Sequence, residues 1–470
     1  MQIGPTQTGP GTIGARLDRL PLSGFHTRIV TLIAIGLFLD VFDIYLAGGV
    51  LAALVKSGWS TMESNASFIA ATFLGMVIGS WLAGIFGDRY GRRFTYQFNL
   101  ALFGLASLAA AAAPNMMVLI GIRFIMGIGL GAEIVTGYAS LTEFVPARCR
   151  GRFMILVAAT TNSALAISSV VSLWVIPAYG WRTMFVAVGV AALALWLARK
   201  GMPESPRWLE SKGRHAEAEA IVAAVEDKAA QRGSLSHVVP VAYVAPTDVS
   251  VRVLFTKPVI QRTLIGILVN IVLGFGLYGF VQWMPSFLVK QGLDISTSLA
   301  FTTVLSLGGP VGSLLALGVA DRIRHKTGIV IASLIAAAAG CIFPFTGGGT
   351  LFLITGFILV CAIYANNAFG FVAHVPELFP TSYRLRGTGF CITVGRLSTS
   401  AIQYLIVVVF GAFGLQGVVI MLSAVFVIQA LLIALFDIDT KQKSLEAFGA
   451  DAAGDSFADD TLSAAVAPSP

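Results

Sequence analysis

Apolar segments long enough to cross a lipid bilayer recur along the whole chain. An α-helix rises about 1.5 Å per residue, so roughly 20 apolar residues cover a hydrocarbon layer of about 30 Å. Backbone groups inside lipid must satisfy one another, so each such segment is expected to be a helix. The segments lie at 27–55, 65–87, 94–113, 116–141, 152–178, 182–199, 259–289, 297–320, 328–346, 350–376, 386–411 and 415–436. The sequence therefore predicts an all-α membrane protein with twelve transmembrane helices.

The composition supports this prediction. Of the 470 residues, 56% are hydrophobic and 12% are charged, whereas soluble domains carry about a quarter charged residues. The net charge of +7 comes from Lys and Arg in short loops, where it sets membrane orientation, and no nucleic-acid partner is expected. The four cysteines have no paired spacing, so we predict neither a disulfide framework nor a metal site, and no cofactor.

Basic residues cluster after every second apolar segment, which predicts that both termini face the cytoplasm of a plasma (inner) membrane. We expect two six-helix bundles, at 25–200 and 258–437, joined by a polar cytoplasmic linker at 201–257. Residues 1–24, and most of 438–470, are expected to be disordered cytoplasmic tails because they contain few large apolar side chains. We expect a monomer in the bilayer.

Two sequence motifs occur once in each half of the chain. GIFGDRYGRR, with Asp88, follows the second apolar segment, and LGVADRIRHK, with Asp321, follows the eighth. EFVPARCRGR begins at Glu143 after the fourth segment, and ELFPTSYRLRGT begins at Glu377 after the tenth. Both repeats keep the same orientation relative to the membrane, so the halves are parallel. Parallel repeats are one plan of secondary transporters, with the substrate near the midplane between the halves.

At these residues the sequence resembles the major facilitator superfamily, whose loop motif G-x-x-x-D-R-x-G-R-R is matched from Gly84. Within it, the chain is similar to the metabolite:proton and aromatic-acid:proton symporters, which are related to sugar porters. The matching elements are LDRLPLSGFH before the first helix, D-x-x-D at Asp40 and Asp43, RFIMGIGLGAE from Arg123, PESPRWL from Pro203 and ELFPTSYRLRG. The resemblance implies the two-bundle fold and transport by alternating access.

Five ionisable residues lie well inside predicted spans, namely Asp40, Asp43, Arg123, Glu133 and Arg396. Each costs roughly 2.5 to 3.5 kcal/mol at a bilayer centre, and such residues are functional by default. The set contains three acidic side chains and only two guanidinium groups, so one carboxylate lacks a counter-charge and is available to carry a proton. By the resemblance, Arg123 pairs with an aspartate of the first helix. The sequence leaves open whether Asp40 or Asp43 titrates, and whether Glu133 is structural or belongs to proton coupling or a gate.

Arg396 has no acidic residue in the spanning segments of its own half. A guanidinium binds a carboxylate in a bidentate manner, so this position predicts an organic acid as substrate. The alternative is a structural role, in which Arg396 pairs with Asp40 or Asp43.

Polar side chains interrupt the fifth, seventh, tenth and eleventh helices, which the resemblance implies line the substrate site. A single Asn or Tyr in a span can equally form a bond between helices. His374 is expected to be a structural histidine. The predicted substrate-binding residues, besides Arg396, are Thr160, Asn162, Asn270, Tyr278, Gln282, Tyr364, Asn366, Asn367, Gln403 and Tyr404.

The resemblance also implies a cytoplasmic gate, formed by charged loop residues that latch the outward-facing state. The alternative is that most of the arginines only set membrane orientation. The predicted gate residues are Gly84, Asp88, Arg89, Gly91, Arg92, Glu143 and Arg150, with Glu377, Arg384 and Arg386 in the second half.

Together these features predict a proton-coupled importer of a small organic acid, with aromatic acids among the candidates, that uses no cofactor. A uniporter or exporter of a neutral sugar-like or other metabolite is an alternative. A receptor or sensor on a transporter fold is another, although no appended signalling domain is visible. An enzyme is not expected, since the chain has no nucleophile motif or cluster of metal ligands.

Overall fold

A computed structural model describes residues 12–230, 250–320, 322–347, 349–380 and 383–436, and all regular structure in these ranges is helical. Several parts of the chain lie outside the described residues. They are residues 1–11 of the expected N-terminal tail, residues 231–249 of the linker, the C-terminal tail and Asp321. The packing divides the chain into two units. The first unit holds Met1–Ala245 and Gln282–Leu307, and the second holds Pro246–Val281 and Gly308–Pro470.

Among its described residues, the first unit contains six long helices and the short helices described below. Polar caps fix where some of them begin: Thr61 accepts the backbone N–H of Ser64, and Asn115 accepts that of Val118. The long helices are α2 (Gly24–Lys56), α3 (Met62–Tyr90), α4 (Arg92–Ala111), α5 (Met116–Phe144), α6 (Ala147–Tyr179) and α7 (Arg182–Arg199).

Glycines let α3 and α5 approach each other closely. A Cβ atom at Gly79 would collide with the backbone carbonyl of Ile128, and one at Gly131 would collide with that of Met76. Without a hydrophobic effect between helices in lipid, such small-residue contacts supply much of the packing. They bring Arg123 of α5 against α3, which positions the charged site described below.

The second unit contains the remaining spans, several of them irregular. Two π-helical segments, Gly274–Val281 and Ala368–His374, interrupt the seventh and tenth spans, and π segments are frequent at functional sites. Gly414, with φ of 63°, divides α17 into two spans. The helices are α10 (Lys257–Leu273), α13 (Gly308–Ala320), α14 (His325–Ile342), α15 (Thr350–Asn367), α16 (Val375–Glu377) and α17 (Arg384–Phe436).

Eleven helical stretches of the described residues are long and apolar enough to cross a membrane, and the last, Arg384–Phe436, carries two predicted spans. The predicted fold class, an all-α membrane protein with twelve spans, is confirmed.

The outer parts of the seventh and eighth spans pack with the first unit, although they lie within the range 258–437 expected for the second bundle. These parts are α11 (Met284–Lys290) and α12 (Ile295–Ser306). Gln282, just before α11, donates to the backbone carbonyl of Ile44 at 3.0 Å. Lys56 donates to the carbonyl of Leu293 at 3.3 Å. The break at Leu307 thus separates α12 from α13 in packing as well as in helix geometry.

The N-terminal segment forms a helix, α1 (Thr12–Arg19), so the expectation of disorder across residues 1–24 needs correction from Thr12 onward. Its buried apolar residues, Ile13 and Leu17, pack on two linker helices, α8 (Pro206–Ser211) and α9 (His215–Ala230). The few apolar side chains of this tail are therefore sufficient, because they lie on one helical face and meet a matching apolar face.

Ion pairs reinforce this contact. Arg16 lies 2.5 Å from Glu219 and 2.6 Å from Glu226, and Arg19 also lies 2.5 Å from Glu226. Burial raises the pKa of Glu226, but the hydrogen bonds from Arg16 and Arg19 outweigh it and hold this pKa below its ordinary value of 4.5.

We predict that α1 docks less firmly on α9 in acid. Because the pKa of Glu226 is lower in the folded state, its stabilisation is present above pH 4.5 and is lost as the pH falls through the folded value. Hydrogen exchange of residues 12–19, corrected for intrinsic rates, should therefore accelerate between about pH 5 and about pH 3. Glu226→Gln is the control and should show a smaller pH step. Identical profiles for the two proteins would contradict the assignment.

Candidate functional site

Asp43 of α2 and Arg123 of α5 form a buried ion pair. Arg123 Nη1 lies 2.5 Å from Asp43 Oδ2, and Nη2 donates to the backbone carbonyl of Asp43 at 3.2 Å. Arg123 Nε donates to the Thr72 hydroxyl at 2.9 Å, and the guanidinium carbon lies 4.9 Å from the centre of the Phe68 ring. Of the two aspartates in α2, Asp43 is therefore the one that Arg123 contacts.

Glu133 of α5 forms a second buried ion pair, with Arg199 at the end of α7. Arg199 Nε and Nη2 also donate to the backbone carbonyl of Leu32 at 3.2 and 2.8 Å. Gly36 of α2 makes room for the pair, since a Cβ atom there would collide with the Arg199 guanidinium. The pair thus ties together α2, α5 and α7.

Asp40 is buried one helical turn after Gly36, and neither of its carboxylate oxygens has a hydrogen-bond partner among the described residues. Its charged neighbours are Glu133, Arg199 and Asp43. The arginine of each neighbouring ion pair donates to another carboxylate, so Asp40 lies near both pairs without belonging to either.

The sequence count of membrane charges omitted Arg199. That residue stands in a basic cluster at the end of a span, where the positive-inside pattern accounts for it without a buried role. Its long side chain instead reaches into the helix bundle. The signal that could have found it is Glu133 itself, because a carboxylate inside a span requires a partner within reach.

Arg396 lies on α17 in the second unit, partly buried, next to Gly395, which packs against Asn270. Its electrostatic neighbour is Tyr278, in the π segment Gly274–Val281. A guanidinium and a phenol, two groups suited to a carboxylate and an aromatic ring, therefore lie close together within this unit.

Asn366 belongs to a buried network between helices. Its Nδ2 donates to Ser333 Oγ at 2.7 Å and to Gln429 Oε1 at 3.2 Å, and Ser333 Oγ donates to Gln429 at 3.1 Å. These bonds join α14, α15 and α17, which is the alternative role foreseen for amides in spans. Its neighbour Asn367 is less buried, and its Oδ1 has no hydrogen bond among the described residues.

The other predicted substrate-binding residues are divided between the two units. Thr160, Asn162 and Gln282 belong to the first unit, while Tyr364 and Tyr404 belong to the second. Tyr364 is fully buried, whereas Tyr404 is 48% exposed. Three candidates donate to a carbonyl one turn earlier in their own helix: Asn270 to Gly266, Gln403 to Thr399 and Thr160 to Leu156.

Arg92 is the centre of a charged cluster where α3 meets α4. It lies 3.0 Å from both Asp88 and Glu143. Glu204 accepts the backbone N–H of Arg92 at 2.8 Å and so caps α4. Gly91 has φ of 97°, and a Cβ atom there would collide with the Glu204 carboxylate, so glycine is required on both counts. Sequence reasoning gave Glu204 no role beyond its place in PESPRWL.

The remaining predicted gate residues make separate contacts. Gly84 is exposed, with open space where a Cβ atom would stand. Arg386 is exposed in the first turn of α17. The contacts are Arg89 over the Tyr90 ring at 5.4 Å, Arg150 to Asp18 at 3.9 Å, Arg384 to the carbonyl of Phe379 at 3.2 Å, and Glu377 to His325 at 3.0 Å.

The model of the Sugar (and other) transporter family matches residues 29–452 of the chain. The chain belongs to this family of the major facilitator superfamily. Its proteins are transporters and not enzymes, as the sequence predicted, and the chain is an integral, multi-pass membrane protein.

Two relatives extend the match over nearly the whole chain of this transporter. The Escherichia coli inner membrane metabolite transport protein YdjE is 36% identical over 440 residues, covering 92% of this chain and 97% of YdjE. The Acinetobacter baylyi niacin transporter NiaP is 30% identical over 438 residues, covering 93% and 99%. A solved D-xylose-proton symporter shares the fold with a TM-score of 0.72 at 19% identity, covering 90% of this chain and all of that one.

We predict that Glu133 and Arg199 depend on each other for stability. Arg199→Leu leaves the Glu133 carboxylate buried without its counter-charge, which typically costs about 3–5 kcal/mol. The double variant Glu133→Leu and Arg199→Leu removes both charges and should recover part of that loss. Thermal unfolding of the detergent-purified protein measures both effects, with exposed Arg152→Leu as the control. Equal losses in the single and double variants would contradict the pairing.

Proposed function

We propose that this transporter imports a small organic acid together with protons, and that Asp40 is the group that carries the proton. The observation that carries the proposal is the buried Asp40 carboxylate, which has no hydrogen bond among the described residues while both other acids of the spans have an arginine. Arg396 is the proposed anion-binding residue.

The environment of Asp40 favours reversible protonation. A carboxylate removed from water without hydrogen bonds is strongly disfavoured as an anion, so protonation relieves it. Two of its three charged neighbours are themselves carboxylates, Glu133 and Asp43, which opposes its ionisation further. Asp43 differs, because Arg123 bonds both its carboxylate and its backbone carbonyl and so stabilises its charged form.

Arg396 and Tyr278 support the choice of an aromatic acid. The guanidinium can bind a carboxylate through two parallel hydrogen bonds, and the Tyr278 ring beside it offers an aromatic surface. Niacin, which names the relative NiaP, is an aromatic carboxylic acid of this kind. Partly exposed Asn367, in the same unit, is a further candidate for hydrogen bonds to ring substituents.

We predict that Asp40→Asn uncouples transport from protons. Asparagine keeps the shape of the side chain but cannot exchange a proton, so accumulation driven by a pH gradient should be lost while counterflow exchange of the solute persists. Proteoliposomes with an imposed pH gradient measure both modes. Asp43→Asn is the comparison and should instead lower protein stability, because it weakens the contact with Arg123. Intact accumulation in Asp40→Asn would remove this residue from the coupling role.

We predict that Arg396→Ala raises the KM for an acidic solute by at least about tenfold, since a charge-assisted hydrogen bond contributes about 1.5–3 kcal/mol. Arg396→Lys keeps the positive charge but lacks the planar guanidinium, so its KM should lie between those of the wild type and Arg396→Ala. Uptake is measured for nicotinate and for its neutral amide, and also for benzoate and neutral sugars. Uptake of neutral sugars alone, or an unchanged KM in Arg396→Ala, would overturn the anion-binding role.

A further inference from the structure

Three side chains that commonly ligate metals converge in the second unit. His325 is the first residue of α14, His374 ends the π segment after α15, and Glu377 lies one turn later in α16. His325 Nδ1 is 3.0 Å from Glu377 Oε2, and ligand atoms of all three residues lie within 4.8 Å of one another. His374 is fully buried, and the other two are partly buried.

By the sequence repeat, this cluster corresponds to the charged cluster around Arg92 in the first unit. His325 stands four residues after Asp321, as Arg92 stands four after Asp88, and Glu377 opens the second copy of the motif that Glu143 opens in the first. In the first unit the pair is Arg92 and Glu143, at 3.0 Å. In the second, an imidazole takes the place of the guanidinium, and an arginine cannot ligate a metal whereas a histidine can.

His374 distinguishes the two halves further. It precedes Glu377 by three residues, and the corresponding position before Glu143 is Ser140. Residues three apart on a helix share a face, so His374 and Glu377 present their ligand atoms to the same side. A second buried imidazole within reach of the His325 and Glu377 contact completes a set of three ligands.

We propose that His325, His374 and Glu377 bind a divalent transition-metal ion of the zinc class. Ligand distances of about 2.0–2.2 Å place the donor atoms of a tetrahedral site about 3.3 Å apart. The three side chains therefore need to close by about 1.5 Å at most from their span of 4.8 Å. A water molecule takes the fourth position, on the side where His325 and Glu377 reach solvent.

The ligand types select the metal. Imidazole nitrogens favour Zn²⁺, Ni²⁺, Co²⁺ and Cu²⁺, whereas Mg²⁺ and Ca²⁺ prefer oxygen ligands alone. The start of α14 and the basic residues around it in sequence, Arg324 and Lys326, oppose a cation and weaken its binding. The bound ion ties α14 to α16 in addition to the hydrogen bond between His325 and Glu377.

The test uses full-length protein in detergent, stripped with a chelator and titrated with Zn²⁺ by equilibrium dialysis. We expect one ion per wild-type chain, which millimolar Mg²⁺ does not displace. His325→Arg copies the residue found at the matching position of the first repeat and keeps a cation opposite Glu377, so it should preserve the fold but weaken binding at least about tenfold. Exposed His215→Ala is the matched control and should bind like wild type.

A spectroscopic readout makes the result independent of folding losses. Co²⁺ in a site of this kind absorbs visible light, and we expect this absorption in wild type and His215→Ala but not in His325→Arg. Zn²⁺ should also raise the melting temperature of the wild type and of His215→Ala, but not that of His325→Arg. Absence of stoichiometric binding to wild type, equal binding to His325→Arg, or displacement by Mg²⁺ would each overturn the proposal.

Discussion

The ion pair between Asp43 and Arg123 is the interaction on which the first unit depends. A charge inside a membrane is tolerated only with a partner, and removing one member of a buried pair typically costs about 3–5 kcal/mol. Arg123 bonds a carboxylate, a backbone carbonyl and the Thr72 hydroxyl, so its donors are well satisfied. The close packing of α3 on α5 at Gly79 and Gly131 makes these contacts possible. The glycines and the charges of this unit therefore act together.

Most of the fold was predictable because span length and apolar composition are properties of single segments. All predicted spans have helical counterparts, whereas irregular stretches within spans and contacts between segments escaped prediction. The irregular stretch Gly274–Val281 is apolar like the helix around it, and its three glycines permit a departure from a regular helix without specifying the π geometry. Likewise, α1 is helical because α8 and α9 offer a matching apolar face, and that face exists only after the linker folds.

The charged site was predictable in its members but not in its pairing. Asp40, Asp43, Arg123 and Glu133 are visible as charges in apolar runs, yet the partner of Glu133 stands at a helix end. The three-residue spacing places both aspartates of α2 on one helical face, so the sequence cannot distinguish them. The structure does distinguish them, because Arg123 contacts Asp43 and not Asp40. Substrate residues are harder still, since Asn366 shows that an amide in a span can serve helix packing instead.

The proposed proton and anion groups belong to different units, Asp40 to the first and Arg396 to the second. Coupling between two sites is reciprocal: if protonation of Asp40 raises the affinity for the acid by some factor, binding of the acid raises the affinity for the proton by the same factor. A direct bond between the two groups is therefore unnecessary, provided that each ligand favours the same conformation of the protein. In this scheme Asp40 alone exchanges a proton, because Asp43 is bonded to Arg123 and Glu133 to Arg199, whereas the Asp40 carboxylate has no such contact among the described residues.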